Sequence, residues 1–448
     1  MLTVESLWRE SLEFQRIRSS AKGDYVAQVA QLTEDRKQDR RFILGSLSVG
    51  HGISHLYDLG FPMLLRDIAV VMGFSNFQVA SLFAIRQAGS GAINLGAGPL
   101  VDTFRGQWGL ILTGCLVWSA IAFFFIGVSP NFAFMTIGVA LVSIPGALWH
   151  LPAAAALSQR FADRRGFAMS IHGSVANVCN YLGPLMAGAL LSVMLWRHVV
   201  LIYAVPALVM AGFVWWSLKD LGKGGGPSQQ RDLRAAYLDS FTLLRNPVVA
   251  GLILAAMLRG VGLSAVGNWA PFYLENELGM GHIKAGSYLG LLSGMGIVSS
   301  PVLGALSDKI GRKPILVPGF IFAAILSMFV VGAGDGFLLA IVFVGLGLFS
   351  FALHQIIQAS VLDVVGRGTE ATAIGRLFGL NGIVAAASPF LATVIIDHLG
   401  GYGSIFYYSG ILTALTAALV LVLPIPSGGA AKEIGQDQGL LDTPVGRP

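Results

Sequence analysis

Charged residues are so sparse between positions 42 and 424, and so unevenly spaced, that the intervening chain is suited to one solvent, hydrocarbon. The sequence divides there into twelve mostly apolar stretches: 42–65, 77–100, 108–128, 132–157, 167–195, 199–218, 248–274, 285–306, 314–333, 337–362, 372–396 and 404–424. Each reaches the length of about 20 residues that a helix needs to cross a bilayer. Inside lipid a backbone must satisfy its own polar groups, which makes each stretch a helix. With 54% apolar and 12% charged residues, a soluble globule with a polar skin is excluded. The expected fold class is an all-α membrane protein with twelve transmembrane helices in two pseudo-symmetric six-helix bundles.

The basic residues set the orientation. With the first crossing starting inside, connections on that side hold thirteen Lys and Arg against Arg66, Arg197 and Lys284 opposite. That asymmetry places both termini in the cytoplasm. Residues 1–41 read as a polar cytoplasmic tail with no signal-peptide core, although Leu7, Trp8 and Phe14 would also suit a surface-lying amphipathic turn. The organisation expected is a bundle over 42–218, a cytoplasmic linker over 219–247 that begins Gly-rich at Gly224, a second bundle over 248–424, and a cytoplasmic tail over 425–448. Cys115 and Cys179 both lie in apolar stretches, so no disulfide framework or thiolate site is expected. The net charge of +5 comes with no basic stripe, which argues against nucleic acid as a partner.

The two halves repeat each other. Gly304, Asp308, Lys309, Gly311, Arg312 and Lys313 form a charged run between two crossings, its glycine expected to let two helices approach closely. The same frame recurs as Gly98, Asp102, Arg105 and Gly106. Ala147-Leu148-Trp149-His150 likewise matches Phe351-Ala352-Leu353-His354 at an offset of about 205. The charged run resembles the loop signature of the major facilitator superfamily, complete in the second half and degenerate in the first. That resemblance covers the chain from Phe42 to about Pro424. It implies alternating access about a site between two halves, with the run as a gating contact. Gly183-Pro184 resembles the Gly-Pro stretch of antiporters in that superfamily. Trp149-His150-Leu151-Pro152, the run from Arg164 to Gly173, and Arg259 are similar to the fosmidomycin-resistance branch of exporters. Where proton-linked drug exporters carry an arginine four residues before a glycine, this chain has Val142 before Gly146.

Polar groups inside crossings are costly, so they are the candidates for function. His51, His55 and Asp58 share one helical face by their spacing, suited to passing a proton or holding a cation; histidines hydrogen-bonded to neighbouring helices are the structural alternative. Arg86 in the second crossing is the expected partner of Asp58, either for proton coupling or as an ion pair fixing two helices. Arg259 has no acidic neighbour in its crossing before Glu275 and is the candidate for holding an anionic or carbonyl-bearing substrate, with backbone carbonyls as its alternative partners. His150 and His354 sit at matching repeat positions, and Gln355 and Gln358 add amides, so a shared cavity floor is expected. Asn268 beside Trp269 completes the substrate set. Histidines four apart resemble half a zinc site, but no glutamate follows the first one, so neither metalloprotease chemistry nor a metal or other cofactor is expected.

A nucleotide-binding G-x-x-x-x-G-K loop and a soluble catalytic domain are both lacking, which disfavours an ATP-driven pump and an enzyme. The expected function is proton-coupled export of a small organic molecule or drug by a monomer in a bacterial inner membrane. Import of an organic anion or another nutrient is the second reading, and a membrane receptor or enzyme the third.

Overall fold

The computed structural model describes residues 39–161, 165–223, 243–365 and 370–425. Both predicted tails, apart from a few residues, and most of the predicted linker lie outside these. The described residues form fourteen α-helices: α1 Arg40–Met72, α2 Asn76–Thr103, α3 Trp108–Gly127, α4 Phe132–Arg160, α5 Arg165–Leu191, α6 Trp196–Leu218, α7 Pro247–Phe272, α8 His282–Gly294, α9 Gly296–Ile310, α10 Lys313–Phe329, α11 Phe337–Val364, α12 Glu370–Ala385, α13 Ser388–Leu399 and α14 Ser404–Val422. Local chemistry sets several ends. The Asp39 carboxylate accepts from the Arg41 amide at 2.8 Å to start α1, and Asn131 and Asn246 cap α4 and α7 in the same way. Gly73 closes α1 at φ +68°, a conformation that a Cβ would oppose.

Among the described residues, nine helical stretches are long and apolar enough to cross a membrane, with α8 running on into α9 and α12 into α13. The other three predicted crossings correspond to α1, α2 and α10. α1 carries several charges and two histidines, α2 is rich in Asn, Gln, Ser and Gly and carries Arg86, and α10 has only 17 residues. Three boundaries differ from the sequence reading. The first crossing continues past residue 65 to Met72 and takes Arg66 into a helix. The eighth is interrupted at Met295 and the eleventh at Ala386-Ala387, breaks that apolar pattern alone does not reveal. Pro271 supplies no N–H, and α7 continues beyond it as a π turn over Tyr273–Glu277.

Packing divides the molecule by depth. At the end bearing the Gly311 turn, α1–α6 enclose an apolar cluster around Trp108, Trp149 and Leu157, while α7, α10–α12 and α14 enclose a separate one around Leu252, Phe320 and Ile357. Toward the opposite end a single cluster joins both sets, from Phe61 and Phe83 to Trp269 and Phe406. Small residues make that junction close. Gly91 of α2 lies against Gly382 of α12, and Gly188 of α5 against Gly286 of α8, leaving no room for a Cβ at either.

Polar bridges reinforce the joined end. Arg66 reaches Glu275 at 2.8 Å and Asn276 through Nε at 2.8 Å, and His282 lies 2.9 Å from the same Glu275. Asn76 donates to Asp397 at 2.7 Å and accepts from the Tyr402 hydroxyl at 3.0 Å. Nearer mid-depth, Gln87 donates to the Ser264 hydroxyl at 2.6 Å, and the Ser293 hydroxyl donates to the Asn180 carbonyl at 2.7 Å. The helices are therefore fastened to one another at one end and form separate cores at the other.

Candidate functional site

The 3.6-residue period puts His51 and His55 one turn apart on α1, and their Nε2 atoms lie 3.0 Å from each other. Trp149, fully buried on α4, fills the space over Gly50 and sets α4 against α1. His150, the next residue, is thereby brought edge-on to His51, with ring centroids 4.7 Å apart, and 5.8 Å from His55. From α5, His172 stacks on His51 at 4.1 Å with planes 4° apart, and the Asn180 side-chain oxygen accepts from His55 Nδ1 at 2.9 Å. Four imidazoles from three helices thus share one place. His51 is buried there and His150 exposed. His172 and Asn180 were not singled out as functional from sequence, because nothing in the α5 pattern says which neighbour either one meets.

Asp58, two turns beyond His51, pairs with Arg86 of α2 at 2.6 Å. The guanidinium also lies over the Phe61 ring at 5.1 Å, which holds its plane. Asp58 faces Gly146, where a Cβ would come within ordinary contact of the carboxylate. The expected pairing is present, and a second face of Asp58 is left toward α4. About a third of its side chain remains accessible.

Arg259 is buried on α7 and donates to the Ser350 carbonyl of α11. Among the described residues no carboxylate pairs with it, and it lines a small, mostly apolar pocket with Leu263, Phe320, Ser350, Ser409 and Thr413. The shared cavity floor expected of His150 and His354 is replaced by separate settings. His354 lies 2.7 Å from the Gln358 amide on its own helix and 5.6 Å from the Phe378 ring, whereas His150 joins the imidazole cluster. Each of these contacts is set by the rotation of its own helix, which the repeat does not fix. Gln355 is exposed. Asn268 donates to Ser264 on its own helix at 3.2 Å, so it belongs to the Gln87 bridge rather than to an open pocket.

The charged run is a four-helix tie. Arg312 donates to Asp308, to Ser307 at 2.7 Å and to Asp363 of α11 at 2.9 Å, and Lys313 reaches the carbonyl of Leu423, the residue that follows α14, at 3.1 Å. Gly311 makes the turn at φ +97°. Lys309 is exposed. The close approach expected at Gly304 is not found, since nothing lies within 4 Å of where its Cβ would be. The neighbouring Leu303 packs against the Leu252–Phe320 cluster, so α9 meets its neighbours there through another face than that of Gly304. In the first copy, Gly106 is exposed in a 3-10 turn, and the surroundings of Gly98, Asp102 and Arg105 lie outside what is described.

The family model of the Major Facilitator Superfamily matches residues 47–351 and 295–443. The chain belongs to that superfamily. It is a multi-pass integral membrane transporter and not an enzyme. Among curated relatives it is 24% identical to monocarboxylate transporter 10 of Rattus norvegicus, over 80% of this chain and 73% of that one. It is 28% identical to the cis,cis-muconate transport protein of Acinetobacter baylyi, over 52% and 60%. Identity to the fosmidomycin resistance protein of Escherichia coli is 21%, over 61% and 67%. In fold it is similar to a bacterial homologue of the human lysosomal transporter Spinster, in an inward-facing, unoccupied conformation. The TM-score is 0.65 at 15% identity, with 91% of this chain and 99% of that one covered.

In the gating role that the family resemblance implies, the Arg312 tie would bear on conformational exchange. Asp308 is largely exposed, so its pairing is worth about 1 kcal/mol or less, enough to bias two near-balanced states. Asp308→Ala is expected to lower turnover several-fold and leave the substrate Kd within about twofold. Parallel transport and equilibrium-binding measurements check this, and an affinity that falls as far as the rate contradicts it.

Proposed function

We propose that the chain is a proton-coupled secondary transporter of a small organic anion. It would work by alternating access between six-helix bundles over 42–218 and 248–424, joined by the cytoplasmic linker 219–247, with both termini cytoplasmic in a bacterial inner membrane. The observation that carries the coupling is the Asp58–Arg86 pair, partly accessible and on the same face of α1 as His51 and His55 of the imidazole cluster. A carboxylate held by a cation in one arrangement and released in another is a proton site whose occupancy follows conformation. His51 and His55 extend the path along α1 toward its Arg40 end. The anion preference rests on Arg259, a buried guanidinium without a carboxylate partner among the described residues. Two relatives are named for carboxylate substrates, a monocarboxylate and muconate, which is consistent with that preference.

In the orientation assigned from the basic loops, the Gly311 end, where the two sets of helices form separate cores, would be the cytoplasmic one. Export of a neutral small molecule or drug is the second reading, favoured by the likeness to the fosmidomycin resistance protein.

Proteoliposomes with an imposed pH gradient, challenged with a panel of mono- and dicarboxylates and neutral drugs, separate the two. The expected result is carboxylate accumulation that collapses with a protonophore. Gradient-driven movement of neutral compounds alone replaces the anion reading with the second. Equal accumulation with and without a proton gradient overturns the coupling.

A further inference from the structure

The imidazole cluster has a property that proton relay does not require. One ring nitrogen of each of His51, His55 and His150 lies within 4.8 Å of the other two. We infer that these three residues form a binding site for a divalent transition-metal ion of borderline softness, the class represented by Zn²⁺, Co²⁺ and Ni²⁺. Neutral imidazole nitrogens are preferred donors for that class. Two histidines four apart on one helix with a third donor from elsewhere is a recurrent way of building such a site. In a tetrahedral site with metal–nitrogen bonds of about 2.0–2.1 Å, the donors stand roughly 3.3 Å apart. The His51 and His55 Nε2 atoms, at 3.0 Å, are already near that separation. The remaining closure falls to His150, the exposed member, whose ring has room to turn.

A further observation points to an ion. The Asn180 oxygen accepts from His55 Nδ1 at 2.9 Å, which places that proton on Nδ1 and turns the Nε2 lone pair toward His51 and His150. A ligating histidine is commonly oriented in this way by an acceptor on its other nitrogen. His172, stacked on His51, and Trp149, packed over Gly50, hold the α1 face in register with α4. The fourth coordination position falls on the exposed side of His150, open to water. No charged side chain is needed within the donor set, since the nearby carboxylate, Asp58, is engaged by Arg86.

An ion there uses the lone pairs through which His51 and His55 would pass a proton, so metal and relay exclude each other. The site can be tested without transport, and its failure leaves the coupling proposal standing. Full-length protein in detergent, carrying an affinity tag without histidine, is titrated with Co²⁺ and followed by visible absorption. The expected result is an intense low-coordinate Co²⁺ spectrum saturating near one equivalent and displaced by Zn²⁺. His150→Ala, at an exposed position, weakens the titration at least about tenfold, and His51→Gln, which keeps side-chain bulk in the core, does the same. Asn180→Ala leaves the donors intact and weakens it about 10–100-fold. His398→Ala, at an exposed site far along the chain, changes nothing. A spectrum no stronger than that of the hydrated ion overturns the inference. So does one that is unchanged in both His150→Ala and His51→Gln, or one that His398→Ala abolishes.

Discussion

Asp58→Asn is expected to reduce gradient-driven accumulation to a ratio of about one while substrate exchange continues near the parental rate. The substitution is close to isosteric, and the new amide oxygen can still accept from Arg86 Nη2, which now reaches the carboxylate at 2.6 Å. What is lost is titration. Exchange needs no net proton movement and so survives; accumulation needs a proton to bind on one side and leave on the other. The same measurement in Arg86→Gln tests the pairing from its other end. There a carboxylate remains among apolar helices without its cation, which costs about 1–3 kcal/mol, less than for a fully buried pair because part of Asp58 is accessible. Arg86→Gln should therefore lower the thermal midpoint, and adding Asp58→Asn should restore much of it. Full accumulation in Asp58→Asn removes the coupling role. A double variant no more stable than Arg86→Gln removes the energetic link between the two residues.

Arg259→Lys is expected to raise the KM for the transported anion at least tenfold at similar expression. Lysine keeps the charge but not the planar fork, and the guanidinium uses one arm on the Ser350 carbonyl while the rest faces Ser409 and Thr413. Losing one charge-assisted hydrogen bond to a carboxylate amounts to about 1.5–3 kcal/mol, or roughly ten- to 150-fold in affinity. Uptake kinetics with a carboxylate substrate provide the check. A variant with parental KM shows that a positive potential suffices, and one that transports neutral substrates normally but no anion locates the selectivity in the fork.

The site was legible in the sequence wherever its logic was local. The helical period alone placed His51, His55 and Asp58 on one face, and the cost of charge in hydrocarbon marked Arg86 and Arg259. Repetition between the halves marked His150 with His354, but it could not say that one would join an imidazole cluster and the other pair with Gln358. Symmetry of sequence fixes depth in the membrane. The partner depends on how each helix is rotated and on what approaches it.

Glycine shows the same division. A glycine in a membrane helix permits close approach, yet Gly304 meets open space, while Gly91 and Gly382 carry the contact between α2 and α12. The bridge from Arg66 to Glu275 joins residues more than two hundred positions apart, and no pattern along the chain signals it. Composition, apolar run length and loop charge determined by themselves that the chain is a helical membrane protein, because the requirement to satisfy every backbone group in lipid acts segment by segment. Helix rotation, the breaks at Met295 and Ala386-Ala387, and the meeting of His172 with His51 were decided only in the tertiary structure, since each depends on packing between segments that no single segment encodes.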